Sequence, residues 1–134
     1  MTLSSVSEHD VTSNRYLRGK YSICGVGETT YRRGSAESTR SLATWAISNA
    51  MKDAGMDSGD IDGLLSYSGN DSTFAPWVAG DLGIRLNFYM DVHGGGSSTE
   101  ALIGIAMGVI EAGMCKTVAI YSCLLYTSDA ADET

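Results

Sequence analysis

Basic residues are scarce in this 134-residue chain: nine Lys and Arg face sixteen Asp and Glu, for a net charge of −7 at pH 7. No basic cluster exceeds the pair Arg32 and Arg33, which argues against an extended nucleic-acid-binding face. No apolar run approaches the ~20 residues that a membrane-spanning helix needs. The first ten residues lack a basic start followed by an apolar stretch, so they do not read as a secretory signal, and the expected compartment is the cytoplasm. Only three cysteines are present, Cys24, Cys115 and Cys123, and no two are spaced as a metal knuckle or a CxxC pair. A disulfide framework and a metal site are therefore not expected, and free cysteines are commonly buried. There is one proline, Pro76, and only His9 and His93 can supply imidazole. What is plentiful is apolar surface: 43% hydrophobic residues suffice for a core and argue against global disorder.

Organisation follows from where the periodicity starts and stops. Residues 1–18 are polar and aperiodic and read as a mobile arm. Residues 21–27 read as a short strand ending in glycine. Ser38 offers an N-cap for a helix over 39–54, in which Leu42, Ala43, Ala46, Ile47, Ala50, Met51 and Ala54 share one wide face before Gly55 stops it. A turn over 57–62 leads to a strand over 63–67. Pro76 suits the first turn of a short helix ending near Gly83. A third strand spans 87–92, and Gly94, Gly95 and Gly96 break it. Ser97 or Ser98 then caps a helix to Ala112, with Glu100 suited to its first turn. Gly113 ends that helix, and 117–121 form a fourth strand.

The order βαβαβαβ predicts an α/β fold with a mixed or parallel sheet covered on both faces. The helix over 97–112 is unusual. Leu102, Ile103, Ile105, Ala106, Met107, Val109 and Ile110 surround its axis, and Gly104 and Gly108 lie four apart. A helix apolar on every side is expected to be buried on every side, which calls for protein beyond a single α/β layer. The strand before it is expected inside the sheet. Exposed, that helix and unpaired sheet edges should make the isolated chain aggregate.

Residues 123–133 break the pattern and resemble, over eleven consecutive positions, the translation of a transposon-based sequencing adapter. The expectation is that 123–134 is a non-native tail. Without Asp129, Asp132 and Glu133 the rest of the chain is three charges less negative, and Cys123 leaves the cysteine count.

The strongest candidate for chemistry is the run from Asp91 to Glu100: strand, glycine turn, helix start. Backbone N–H groups and the positive end of a helix dipole converge at such a place and favour an anion or oxyanion, here at Gly94, Gly95, Gly96, Ser97 and Ser98. A turn that needs small residues for packing would look the same. A Walker loop requires a Gly-Lys pair that is absent. A nucleophile elbow, Gly-x-Ser-x-Gly, fails at Thr99, leaving Ser97 as a weak serine-hydrolase candidate that fluorophosphonate labelling would reveal. A dinucleotide fingerprint beginning at Gly25 and Gly27 fails at Thr30.

A third form of the turn carries a family resemblance. Thiolases have Val-Asn-x-x-Cys-Ala-Ser-Gly followed by a buried helix that closes with Ile-x-Ala-Gly. This chain has Val92-His93-Gly94-Gly95-Gly96-Ser97-Ser98-Thr99 and closes with Ile110-Glu111-Ala112-Gly113. Arg18-Gly19-Lys20, Gly25-Val26-Gly27-Glu28-Thr29, Tyr31-Arg32-Arg33-Gly34-Ser35 and Asp60-Ile61-Asp62-Gly63 are similar to the subgroup labelled lipid-transfer or acetyl-CoA acetyltransferase-like. Residues 19–122 thus resemble an incomplete thiolase N-terminal domain. The resemblance implies a coenzyme A thioester as substrate, no covalently bound cofactor, and a homodimer paired through the third strand. It also puts Gly96 on the position of the nucleophilic cysteine, where no side chain can accept an acyl group. Cys115 is about 28 Å along the helix at 1.5 Å per residue and cannot substitute. Cysteine-lacking members resemble retro-aldolases that cleave steroid-like acyl-CoA side chains with a small OB-fold partner. Their tyrosines lie in the C-terminal half, so Tyr67, Tyr89 and Tyr121 are read as packing residues. His93, Ser97 and Ser98 are candidate pocket residues. A non-catalytic acyl-CoA-binding scaffold is the alternative reading.

Overall fold

The computed structural model describes residues 17–30, 38–67, 73–95 and 97–122. Its regular elements are α1 (Thr39–Ala54), a single 3-10 turn (Ser58–Asp60), β1 (Gly63–Tyr67), α2 (Ala75–Leu82), β2 (Phe88–Val92), α3 (Ser98–Glu111) and β3 (Val118–Ser122). The tail over 123–134 and most of the arm lie outside the described residues. Residues 17–20 form a turn closed by the Lys20 N–H to Leu17 carbonyl bond of 3.2 Å.

The strands form a parallel sheet in the order β2-β1-β3, with Gly63 opposite both Phe88 and Val118 and Tyr67 opposite both Val92 and Ser122. Right-handed crossovers fix where the helices go. The chain steps from β1 outward to β2 through α2, then returns past β1 to β3 through α3, so the two helices fall on opposite faces. On one face α1 and α2 enclose Ala43, Ile47, Met51, Leu64, Val78, Ala79 and Tyr121. On the other, α3 sets Leu102 and Ala106 against Leu65, with Phe88, Val92, Val118 and Ile120 around them. Leu64 and Leu65, adjacent on β1, are each fully buried on opposite sides. Each such side chain contributes about 1.5–3 kcal/mol.

Local chemistry sets the helix ends. Ser38 accepts the Ser41 N–H at 3.1 Å, and Gly55 and Gly83 terminate α1 and α2 with φ of 69° and 70°, where a Cβ would be strained. Arg40 of α1 forks onto Asp81 of α2 at 2.6 and 2.7 Å, and its guanidinium lies 5.7 Å from the centre of the Trp77 ring.

Three expectations are corrected. The strand over 21–27 is absent: this segment joins no ladder. The Val26 N–H goes to Asp53 at 2.9 Å, and the Glu28 carbonyl accepts from Asn49 at 3.0 Å. Gly25 and Gly27 lie directly on the backbone of α1 along Ala46, Ala50 and Ala54, too close for any Cβ. The described order is therefore αβαβαβ. Second, the helix expected over 97–112 is not buried all round. Leu102, Ala106 and Val109 are buried, whereas Ile103 is 43% exposed and Gly104 and Gly108 are open, because nothing among the described residues covers its outer side. Third, among the described residues β2 lies at the sheet edge and not inside it, because the second crossover carries β3 to the far side of β1.

Candidate functional site

In a parallel sheet all strands end at the same edge, and ligands of open α/β folds bind outside those carboxyl ends. Here that edge gathers Tyr67, Val92, the turn through His93, Gly94 and Gly95, and the start of α3 at Ser97 and Ser98. The structure brings these residues together. Gly96, which the resemblance places on the nucleophile position, lies outside the described residues.

Several bonds define the turn. The Tyr67 hydroxyl donates to the Gly94 carbonyl at 2.8 Å. The Ser98 N–H donates to the Gly95 carbonyl at 2.9 Å, and the Ala101 N–H to the Ser97 carbonyl at 3.3 Å. A Cβ on Gly94 would meet the Ser98 hydroxyl, which would have to turn to another rotamer, so close packing favours glycine there. Ser97 occupies the N-cap position of α3 with helical backbone angles, φ −75° and ψ −5°, and its side chain makes no cap bond. Glu100 falls in the first turn, where the helix dipole favours a carboxylate. His93, Gly94, Gly95 and Ser97 are exposed and Ser98 is half-buried. Among the described residues neither Ser97 nor Ser98 is hydrogen-bonded to a histidine or carboxylate that could activate it.

Below the turn, Asp91 organises the strand ends. Its carboxylate accepts from the Ser66 hydroxyl and, at 3.0 Å, from the Ala75 N–H at the first turn of α2. This supplies from β2 the cap that Phe74, at the N-cap of α2, does not provide. Sequence reading placed Asp91 at the start of the candidate run but missed Ser66 and the bond between them. The available signal was an acidic residue inside an otherwise apolar strand run, an unfavourable place without a partner. Tyr121 is buried and donates to the Thr73 carbonyl at 2.6 Å, in keeping with a packing role, while Tyr89 is 52% exposed on the edge strand.

Cys115 sits at the opposite end of the strands. It is buried, its thiol lies 3.4 Å from the Asp62 carbonyl, and burial, with the neighbouring Asp62 charge, pushes its pKa up. A buried, protonated thiol is a poor nucleophile. Asp62 accepts the Lys116 and Thr117 N–H groups at 3.0 Å and so anchors the start of β3. Two open polar depressions at this end, both lined by Asp62 and Asn87, are remote from the glycine turn. Among the described residues no group of three His, Cys, Asp or Glu could hold a metal ion, and no helix is long and apolar enough to cross a membrane.

No family model matches the chain. Solved structures do. The Ltp2-ChsH2(DUF35) aldolase superposes with a TM-score of 0.68 at 30% identity, covering 73% of this chain and 26% of that one. A monomeric SCP2-thiolase-like protein type 1 from Mycobacterium smegmatis superposes with a TM-score of 0.63 at 29% identity, covering 75% of this chain and 22% of that one. A parallel sheet feeding a glycine turn into α3, with these neighbours, is a thiolase-like fold, and this chain is thiolase-like. Within that class it is similar to the 17-hydroxy-3-oxo-4-pregnene-20-carboxyl-CoA lyase of Mycobacterium tuberculosis, 32% identical over 106 residues and 78% of this chain. The chain spans about a quarter of the length of that relative (27%).

Proposed function

We propose that the chain forms the N-terminal part of an acyl-CoA-handling protein of steroid or lipid side-chain breakdown that cleaves a carbon–carbon bond and does not transfer an acyl group. The likeness to a steroid-CoA lyase carries this reading. The glycine at position 96 supports it, since acyl transfer needs a thiolate there. The substrate class is a β-hydroxyacyl thioester. A base removes the proton of the β-hydroxyl, the bond between the α and β carbons breaks, and its electron pair passes to the α carbon as a thioester enolate. Protonation of that enolate releases a shortened acyl-CoA beside a ketone or aldehyde. Charge develops on the thioester oxygen, and N–H donors at the start of α3 are suited to stabilise it. The base is expected from outside this chain.

By the same reading the complete protein is a cytoplasmic homodimer that works with a small OB-fold protein. The edge position of β2 favours pairing there, because an open edge presents unpaired N–H and C=O groups. The test is to express the full-length gene with its OB-fold partner and supply a steroidal β-hydroxyacyl-CoA. Mass spectrometry should find the carbonyl fragment and the shortened thioester in equal amounts. Thioester binding without either product would instead favour a non-catalytic acyl-CoA-binding scaffold, the reading that a missing thiolate also permits.

A further inference from the structure

We infer that Tyr67 is a positioning residue for the glycine turn, holding the Gly95 N–H in a fixed direction at the site proposed above. The inference rests on that reading for its functional consequence and on geometry for its structural part. Tyr67 is the last residue of β1 and lies opposite Val92 and Ser122 on the neighbouring strands. Its ring is half-buried and packs into the cluster beneath α3, so the hydroxyl is presented from a rigid base. That hydroxyl donates to the Gly94 carbonyl at 2.8 Å.

The peptide joining Gly94 to Gly95 is planar and trans, and no described peptide bond is cis. In a trans peptide the carbonyl and the following N–H point in opposite directions. Fixing the Gly94 carbonyl toward Tyr67 therefore turns the Gly95 N–H away from β1. The next peptide is held as well, because the Gly95 carbonyl accepts the Ser98 N–H at 2.9 Å. Glycine has the widest choice of backbone angles, so two consecutive glycines would sample many orientations unless their carbonyls are tied. Ser66, the residue before Tyr67, also reaches across to β2 through Asp91. The end of β1 thus braces both the end of β2 and the loop that follows it. An N–H aimed before the reaction begins stabilises a developing oxyanion without reorganisation.

The test is Tyr67→Phe in the full-length protein with its OB-fold partner, which removes the hydroxyl and keeps the ring. Amide hydrogen exchange at Ser98, whose N–H is bonded to the Gly95 carbonyl, should accelerate by about tenfold or more while the β1 and β3 amides keep their protection. With the steroidal β-hydroxyacyl-CoA, kcat should fall about tenfold with KM within about twofold, less than the ~10²–10³ that deleting an oxyanion donor costs. Unchanged exchange at Ser98 overturns the positioning role, as does a uniform rise in exchange across the sheet. Faster exchange with unchanged kcat overturns its catalytic consequence. If the wild-type protein forms no product, the lyase reading fails, and the exchange experiment still decides whether Tyr67 orients the turn.

Discussion

Gly63 opens β1 opposite Val118 of β3 and beside Cys115. A Cβ there would meet the Cys115 sulfur and a methyl of Val118, each at 2.9 Å. Neither neighbour is free to move, since Cys115 is buried beside Asp62 and Val118 is paired in the sheet. Gly63→Ala should therefore destabilise the fold by about 1–3 kcal/mol through overpacking, read as a lower urea midpoint with an unchanged slope. Cys115→Ala removes one of the two obstacles. The double variant should lose less than the sum of the single losses, by about 0.5 kcal/mol or more. Strict additivity would mean that the two residues do not press on each other.

At the level of elements, the segment ahead of α1 is held by side chains and not by a ladder. Its start is clasped to the end of α3: Lys20 pairs with Glu111 at 2.8 Å, and the Tyr21 hydroxyl also donates to Glu111. The Lys20 ammonium, then the Tyr21 hydroxyl, hold the Glu111 carboxyl below the usual carboxylate range. A depressed folded pKa contributes stability that is present above the ordinary carboxylate range and is lost as pH falls through the lowered value. The pair is solvent-exposed, so the contribution is small and shrinks with salt. Lys20→Ala should move the Glu111 titration upward in a carboxyl-carbon NMR titration. An unmoved titration would show that the clasp is not formed in solution. The second hold on this segment is steric, with Gly25 and Gly27 against the small stripe of α1.

For the molecule as a whole, several apolar surfaces are exposed among the described residues, Phe74 and Trp77 included, and two of them lie on α3 and β2. One is the outer side of α3 around Ile103, 43% exposed. The other is the β2 edge with Tyr89 and Met90, 52% and 37% exposed. Surfaces of this kind drive association. The 134-residue chain should self-associate with rising concentration, and Ile103→Glu should raise the monomer fraction in sedimentation velocity without changing far-UV helicity. Association insensitive to this change would place the sticky surface elsewhere, with the β2 edge next to be tried.

Local order was legible from the letters because its causes are local. Ser38, Gly55, Pro76 and Gly83 fix helix ends through their own bonds and backbone angles, the 3.6 period marks α1 to the residue, and β1 stands out as a short run between turn residues. The glycine turn and its place between a strand and a helix were equally plain, as was the thiolase-like pattern around it. Tertiary structure alone decided the rest. Residues 21–27 carry strand-forming side chains, yet a strand needs a partner edge, and their glycines found the Ala46, Ala50 and Ala54 stripe instead. The helix after the turn is apolar all round, yet its burial depends on what lies above it, which a period cannot report. Asp91, Ser66 and Tyr67 meet at the site only because parallel pairing in one register brings distant parts of the chain to the same edge. Sequence spacing encodes torsions and faces, while contacts between strands are set by the packing of the whole.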